Sequence, residues 1–323
     1  MWATDGSDTE HDRNTGEVHV TPLRDALERE LRLPAPARRV VSLVPSESES
    51  VVALAGLGAL VGRTEYCEEP AGLIEPVPTV GGTKNVDVEA VVRLAPDLVL
   101  ANMEENTRSQ VEALIAAGLP VHVSFPCTVD DSLLYLDSLC ALLGIDPAAA
   151  GPVREARAAV AGASDAVPER RLTVFVPIWL DPWMTFDRHA FASDLLMRIG
   201  ADNVFGDRPR RYPLAADLAP QDASERRDPP AVAEDRDTRY PRIRLDEVVE
   251  RAPELVLLPD EPYRFTEADA ERLRALAIPA ARAGTIFLCS GKDLFWYGTR
   301  LAGAMERLRA LMERARPRHP VHT

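Results

Sequence analysis

Two segments of the chain repeat one pattern of hydrophobic and polar residues. Residues 88–100 read VEAVVRLAPDLVL and residues 245–257 read LDEVVERAPELVL, so that apolar positions and acids match at nearly every place. A duplicated unit of this size predicts two similar lobes. Two lobes imply a cleft between them, and the content of that cleft is the functional question.

The strand and the helix that open each lobe are repeated as well. Residues 39–44 read RVVSLV, a near-continuous apolar run that is typical of a buried parallel strand, and a helix is predicted over residues 47–60. The segments 170–177 and 191–201 echo this strand and this helix. The duplication therefore reaches beyond the first pair of segments.

The remaining pattern predicts an α/β fold with parallel sheets. Short strands are predicted at 98–101 and 120–124, with a helix over 107–117 between them. Strands that alternate with helices are typical of a parallel sheet. Residues 128–167 contain no strand signal and predict a long helical connector between the lobes, with a break at 144–147.

Domain boundaries follow from these elements. Residues 207–239 are rich in Pro, Asp, Arg and Ala and have no periodicity, which predicts a mobile insertion. Residues 22–33 have the spacing of a short amphipathic helix. The predicted units are a disordered acidic tail with that short helix (1–37), an N-terminal lobe (38–127), a connecting backbone helix (128–168), a C-terminal lobe that includes the insertion (169–315) and a tail (316–323).

Charge and composition narrow the classes of partner. The formal net charge is −14, with 37 basic and 51 acidic residues, which argues against binding to nucleic acid or to an anionic membrane. The first twenty residues contain no apolar stretch, and the longest near-apolar run, 51–61, is too short to span a bilayer. The four cysteines are widely spaced, as expected of reduced thiols. We therefore expect no membrane insertion and a cytoplasmic protein.

Candidate ligand-binding residues lie in the loops that follow the predicted strands, because ligands of open parallel sheets bind beyond the carboxyl ends of the strands. These loops contain three of the four tryptophans and both lysines. Aromatic rings suit a flat or apolar ligand and basic groups suit anions, although the rings could instead close the ends of each core. The candidates are Tyr66, Lys84, Asn85, Glu104, Glu105, Asn106, Trp179, Trp183, Arg188, Tyr263, Trp296, Tyr297 and Arg300.

The sequence patterns that would indicate a metal site or a catalytic site are weaker than those that indicate a ligand-binding cleft. His189 and Cys67 lie at predicted strand ends, but no two such ligands have the spacing of a zinc site, so no metal site is assigned. Glu47 and Glu49 can act as general acids or bases, or can cap the N-terminus of a helix, which is the simpler role. Gly81–Lys84 lacks the spacing of a phosphate-binding loop.

Several segments resemble a known superfamily. RRVVSLVPSESESVVALAGLG, VGRTEYCEEP and VPTVGGTKNVDVEAVVRLAPDLVLA are similar to the vitamin B12 and ferric-siderophore binding proteins of ABC importers, over most of residues 38–310. The resemblance implies a class III periplasmic-type fold of two Rossmann-like lobes joined by one rigid backbone helix. It implies a metal chelate, a corrinoid or haem between the lobes. It also implies that Glu89 and Asp246 dock to arginines of an ABC permease.

Other segments resemble the subgroup called helical-backbone metal receptors. They are EENTRSQVEAL, DPWMTFDRHAF, DEPYRF and FWYGTRL. The chain has Ser290-Gly291-Lys292 where this subgroup favours Asp-Gly-Glu, a change that reverses the local charge.

Three functional hypotheses follow. The first is a small-ligand binding protein that holds a metal chelate, a corrinoid or a related anionic or aromatic ligand in the cleft. It acts as a cytosolic carrier or sensor, or as an ABC-importer-type receptor. The alternative is an enzyme that recruited the cleft, in which Lys84, Lys292, Glu104 and Arg300 act on a small anionic metabolite. The third is an interaction module that uses residues 207–239.

Overall fold

The computed structural model describes residues 23–165, 168–219 and 236–316. Its N-terminal lobe consists, in chain order, of β1 (Leu23–Arg24), β2 (Glu30–Leu31), β3 (Val40–Ser42), α1 (Pro45–Ala55), a 3-10 turn (Leu57–Ala59), β4 (Leu60–Arg63), β5 (Gly81–Gly82), β6 (Asn85–Val86), α2 (Val88–Arg93), β7 (Leu98–Asn102), α3 (Arg108–Ala116) and β8 (Val121–Ser124).

Two helices follow, and then the C-terminal lobe. The connecting helices are α4 (Val129–Leu143) and α5 (Gly151–Asp165). The C-terminal lobe consists of β9 (Leu172–Phe175), α6 (Phe191–Arg198), β10 (Ala201–Asn203), α7 (Leu214–Leu218), α8 (Leu245–Arg251), β11 (Leu255–Pro259), α9 (Glu267–Arg274), α10 (Pro279–Ala283), β12 (Ile286–Cys289), α11 (Gly291–Phe295) and α12 (Leu301–Ala315).

The two lobes have the same sheet topology. The strand order is β4-β3-β7-β8 in the first lobe and β10-β9-β11-β12 in the second, and every pair in both sheets is parallel. In each sheet the strand order reverses beside the first strand, and such a reversal opens a crevice at the carboxyl ends of the strands. The predicted α/β fold with two similar lobes is confirmed.

The repeated sequence segments reproduce an uncommon backbone conformation. Ala95 and Ala252 have φ values of 45° and 47°, in the left-handed region that residues with a Cβ rarely adopt. Each alanine precedes a proline, and a following proline disfavours the right-handed helical conformation. The chain therefore leaves α2 and α8 in the same way, and each time it enters a fully buried strand, β7 or β11.

The helical connector predicted over residues 128–168 consists of two helices, and the division between them includes the break predicted at residues 144–147. The capping box of Thr128 and Asp131 starts α4, and Gly144 ends it with a φ of 66°. The chain then turns into α5. One hydrophobic core runs from the first lobe through this connector into the second, and it contains Val40, Leu98, Leu139, Val153, Val174 and Leu255.

The predicted helix over residues 22–33 is wrong. Residues 23–31 form the antiparallel hairpin of β1 and β2 instead. The carboxylate of Asp25 accepts hydrogen bonds from the backbone N–H groups of Leu27 and Arg29, both at 3.0 Å. Such side-chain bonds compete with helix formation and favour a turn. The backbone N–H of Ala26 donates to Val123 at 2.8 Å and attaches the hairpin to the edge of the sheet.

The predicted mobile insertion is ordered at both ends, over residues 207–219 and 236–239, while residues 220–235 lie outside the described part. Arg208 is 2% exposed and pairs with Asp217 at 2.9 Å and with Glu247 at 3.1 Å. A buried ion pair of this kind fixes the start of the segment against α8. The tail predicted over residues 1–21 and residues 317–323 of the predicted C-terminal tail also lie outside the described residues.

We expect Arg208→Ala to lower the free energy of unfolding by about 3–5 kcal/mol, because it leaves two buried carboxylates without their cation. Urea-induced unfolding followed by circular dichroism measures the change. The control is Arg282→Ala, at an exposed arginine of α10, for which we expect a change below about 0.5 kcal/mol. Equal losses for the two variants would contradict the buried ion pair.

Candidate ligand cleft

The carboxyl ends of the two sheets face each other, and side chains from both lobes meet there in three groups. The floor lies deepest, ion pairs lie above it, and a third group closes the mouth. Together they join loops that are far apart in the sequence. This convergence identifies the cleft as the candidate site.

The floor is a buried hydrogen-bond network between the lobes. The hydroxyl of Tyr297 donates to Oε1 of Glu47 at 2.6 Å and accepts from Nδ2 of Asn102 at 3.0 Å. The hydroxyl of Ser124 also donates to Glu47 and lies 2.9 Å from that of Tyr297. Burial raises the pKa of Glu47 to about 8, against the opposing effect of the two hydroxyl donors. Glu47 is therefore protonated at neutral pH.

Two ion pairs cross the cleft above the floor. Nζ of Lys292 lies 2.7 Å from Oε1 of Glu69, and Nε of Arg300 lies 2.9 Å from Oε2 of Glu49. Both cations also lie over the ring of Trp296, at 5.1 Å and 5.3 Å from its centroid. The α11–α12 region of the second lobe thus faces α1 and the 64–80 loop of the first.

Glu104 closes the mouth of the cleft by binding the second lobe. Its Oε1 accepts a hydrogen bond from the hydroxyl of Tyr240 at 2.6 Å and lies 2.7 Å from Nη2 of Arg239. The guanidinium of Arg239 stacks over the ring of Phe125 at 4.8 Å. Lys84 donates to the backbone carbonyl of Glu104. The side chain of Glu104, which belongs to the first lobe, is therefore bound to Arg239 and Tyr240 of the second lobe.

Arg239 and Tyr240 were not among the sequence candidates. They lie at the end of the segment whose composition predicts mobility. The Arg-Tyr-Pro tripeptide that occurs at residues 211–213 and again at 239–241 was the one available signal, and it gives no function by itself.

Glu105 and Glu261 follow the ends of β7 and β11, one in each lobe. Burial raises the pKa of Glu261 to about 7, the charge of Lys292 opposes this rise, and the charges of Asp260 and Glu105 add to it. Burial also raises the pKa of Glu105 and the charge of Lys84 opposes this rise, although the Glu105 side chain is exposed to solvent. The side chain of Trp296 hydrogen-bonds to Glu261.

The other candidates are distributed between cleft, core and surface. Asn106 is buried and accepts a hydrogen bond from the backbone of Asn102 at 2.9 Å, which orders the 102–106 loop. Trp183 lies in the core of the second lobe, where its ring stacks on that of Phe265 with 5.9 Å between the centroids. For this residue the alternative prediction applies, in which aromatic rings close the end of a core rather than contact a ligand. Arg188 is exposed and donates to the backbone carbonyl of Gly206.

Three aromatic candidates remain open to solvent at the strand ends. Tyr66 of the first lobe and Trp179 of the second are 57% and 45% exposed. Tyr263 lies edge-on to Trp179, with 5.7 Å between the ring centroids. Asn85 is exposed in the β5–β6 hairpin. Each lobe therefore offers an accessible ring at the end of its sheet.

The candidate metal ligands lie apart. His189 is exposed, and its Nδ1 lies 3.1 Å from Oδ2 of Asp187. Cys67 is buried beside Thr64, and burial raises the pKa of its thiol, which disfavours the thiolate that metals bind. Among the described residues, no three His, Cys, Asp or Glu side chains are grouped to hold a metal ion.

The raised pKa of the buried Glu47 predicts a measurable dependence of the free energy of unfolding on pH. Between its ordinary pKa of 4.5 and about pH 8, the folded protein keeps a proton that the unfolded chain releases, so stability falls as the pH rises. Glu47→Gln carries no such proton. We expect the variant to gain stability relative to the wild type by on the order of 1 kcal/mol per pH unit across this window.

Urea unfolding of both proteins at several pH values measures this difference. Because all other titrating groups are shared, their contributions cancel in the comparison. A difference that stays constant with pH would show that Glu47 ionises near its ordinary pKa.

Comparisons with known proteins agree with this architecture. The family model described as periplasmic binding protein matches residues 40–289. The chain is 26% identical over 255 residues to the vitamin B12-binding protein of Yersinia pestis (strain Pestoides F), which covers 77% of this chain and 79% of that protein. None of the described helices has the length and apolar character needed to cross a membrane.

Solved structures show the same fold at low sequence identity. The periplasmic vitamin B12 binding protein BtuF of Vibrio cholerae superposes with a TM-score of 0.64 at 17% identity, covering 87% of this chain and 98% of that one. The periplasmic heme-binding protein RhuT from Roseiflexus sp. RS-1 gives a TM-score of 0.66 at 17% identity, covering 87% and 100%.

Proposed function

Because this chain belongs to the periplasmic binding protein family, we propose that it is a receptor that holds a small ligand between its two lobes. The observation that carries the proposal is the contact between the lobes at Glu104, whose side chain binds Arg239 and Tyr240 of the second lobe and whose backbone carbonyl accepts from Lys84. Polar groups that converge between two lobes are typical of a ligand site.

The proposed ligand is a metal chelate, a corrinoid, haem or a related molecule with a flat apolar face. Support comes from the exposed rings of Tyr66 and Trp179, one on each lobe, and from the half-buried ring of Tyr263 beside Trp179. Aromatic side chains of this kind provide large contact areas for planar ligands. A metal would then arrive inside its chelate as cargo.

The described contacts favour binding over catalysis. The two lysines of the enzymatic alternative are engaged, Lys292 with Glu69 at 2.7 Å and Lys84 with the backbone of Glu104. A lysine whose amine is held in such a contact is less free to act on a ligand. We therefore propose the receptor rather than the enzyme.

The binding test is titration of the purified protein with cyanocobalamin, haem and a ferric hydroxamate siderophore, followed by tryptophan fluorescence. We expect saturable quenching with at least one of them, and an affinity about tenfold lower in Trp179→Ala, because an exposed ring at a binding site often contributes more than 1 kcal/mol.

The control for this test is Met197→Ala, at an exposed apolar side chain of α6, which should bind as the wild type does. If none of the three ligands quenches the fluorescence or co-elutes with the protein, the receptor proposal fails.

For the alternative role as an importer-type receptor, we propose an ABC permease as the partner, with Glu89 and Asp246 as docking residues. They occupy equivalent first turns of α2 and α8, and their side chains are 91% and 57% exposed. Exposed acids at matching positions of two lobes suit arginines on a two-fold related partner.

Reversal of both charges tests this docking. We expect Glu89→Arg with Asp246→Arg to reduce receptor-stimulated ATP hydrolysis by a permease in liposomes about tenfold or more, because like charges then face each other. Ligand affinity should not change. Glu250→Arg, on the exposed side of α8, is the control. Full stimulation by the double variant would contradict the assignment.

For the compartment, we propose the cytoplasm, where the protein would act as a carrier or a sensor. Support comes from its cysteines, since all four are free thiols, as is usual in reducing compartments. Cell fractionation with detection of the native protein tests this, and recovery in an exported fraction would favour the importer role instead.

A further inference from the structure

We infer that Glu104 is an internal competitor for the ligand: its carboxylate occupies two donors of the second lobe, Arg239 and Tyr240, that a carboxylate of the ligand would otherwise bind. Ligand entry at the mouth of the cleft would then exchange one carboxylate for another. The inference rests on the proposed receptor function and specifies a ligand that bears a carboxylate.

The donors at the mouth already hold a carboxylate oxygen. Oε1 of Glu104 accepts a hydrogen bond from the hydroxyl of Tyr240 at 2.6 Å and lies 2.7 Å from Nη2 of Arg239. Both donors therefore converge on one oxygen atom, at the distances of charge-assisted hydrogen bonds. Contacts this short leave no room for other atoms between the groups, so a ligand that uses these donors must first displace Glu104.

Other contacts hold the guanidinium of Arg239 in place independently of Glu104. Asp237 binds it with both oxygens, since Nε donates to Oδ1 at 3.0 Å and Nη2 donates to Oδ2 at 2.8 Å. The guanidinium also stacks over the ring of Phe125 at 4.8 Å, and the backbone carbonyl of Arg239 accepts from the N–H of Asp187 at 2.8 Å. A donor that is held in this way is preorganised, which lowers the entropic cost of binding a ligand.

The side chain of Glu104 can leave while its loop stays in place. The backbone N–H of Glu104 donates to Oδ1 of Asn102 at 2.7 Å, and its backbone carbonyl accepts from Lys84. Its side chain is 30% exposed, so rotation toward solvent requires no movement of the loop. A partly exposed ion pair contributes little to stability, and this exchange is therefore accessible.

The ion pairs between the lobes share one polarity. In each of the three at the cleft, the carboxylate belongs to the first lobe and the cation to the second: Glu104 with Arg239, Glu69 with Lys292, and Glu49 with Arg300. Of the three carboxylates, that of Glu104 is the most exposed, at 30% against 22% and 20%. An acidic group of a ligand would therefore point toward the second lobe and meet Glu104 as its first competitor.

The charges at the mouth make this competition unfavourable for an anion as long as Glu104 is present. Asp237 already balances the charge of Arg239, so Glu104 adds a further negative charge beside the same donors. Replacement of Glu104 by a neutral side chain removes both the occupant of the donors and a charge that repels a carboxylate.

Haem and its dimethyl ester test the inference, because they share one ring and differ in whether the two propionates are charged. We expect Glu104→Gln to bind haem about tenfold more tightly than the wild type, since a hydrogen bond to a charged group contributes a factor of about ten or more. The affinity for the dimethyl ester should change less than about threefold, because an ester offers no charge to the guanidinium. Titrations followed by tryptophan fluorescence measure all four affinities.

Two further substitutions show whether the gain depends on the named donors. When Tyr240→Phe or Arg239→Gln is added to Glu104→Gln, the affinity for haem should fall again about threefold or more, because each removes one hydrogen bond to the incoming carboxylate. Glu155→Gln, at an exposed residue of α5, makes the same change of charge away from the cleft and should bind haem as the wild type does.

An affinity for haem that is unchanged or lower in Glu104→Gln, or an equal gain for the dimethyl ester, would overturn the inference while the receptor proposal stands. The same holds if haem binds neither protein and cyanocobalamin binds. If haem, cyanocobalamin and the ferric hydroxamate siderophore all fail to bind both the wild type and Glu104→Gln, the receptor proposal is contradicted, and this inference with it.

Discussion

The arrangement of the two lobes depends on one buried contact, the hydrogen bond from Tyr297 to Glu47. A carboxyl group removed from water is costly unless its polar atoms are bonded, and here Ser124 and Tyr297 both donate to the same oxygen. The hydroxyl of Tyr297 also accepts from Asn102. Four residues from two lobes are therefore joined by hydrogen bonds, although Oε2 of Glu47 has no partner among the described residues. Separating the lobes at this point would leave several more polar groups buried or unpaired.

The backbone around Tyr297 is fitted to this contact. Gly298 has a φ of 90°, and a Cβ at this position would collide with the hydroxyl of Ser50 in α1. The backbone N–H of Gly298 donates to Ser132 of α4 at 2.9 Å. The second lobe is thus anchored to the first lobe and to the connector by a segment in which only glycine fits without strain.

The sequence predicted the scaffold much better than the site. The repeat that contains Pro96 and Pro253 predicts two similar lobes because local patterns determine buried strands and helix ends. The contact between Glu47 and Tyr297 joins residues 250 positions apart, so no local pattern reports it, and Glu47 is indistinguishable from a helix-capping acid. Arg239 is a similar case. It lies in a segment whose composition is typical of loops, and no local pattern indicates its ion pair with the distant Glu104.

The cleft is asymmetric although the scaffold is duplicated. Glu104 and Glu261 are equivalent, since they lie two residues beyond β7 and β11, each the third strand in chain order of its parallel sheet. Glu104 is paired with Arg239, which belongs to a segment that only the second lobe contains, whereas Glu261 has a tryptophan as its neighbour. The inserted segment therefore neutralises the acid of the opposite lobe, while the equivalent acid of its own lobe lies near Trp296 and the charge of Lys292. Because partly exposed ion pairs contribute little to stability, about 1 kcal/mol or less, while the floor is fully buried, we expect the cleft to open at its mouth and to pivot on its floor.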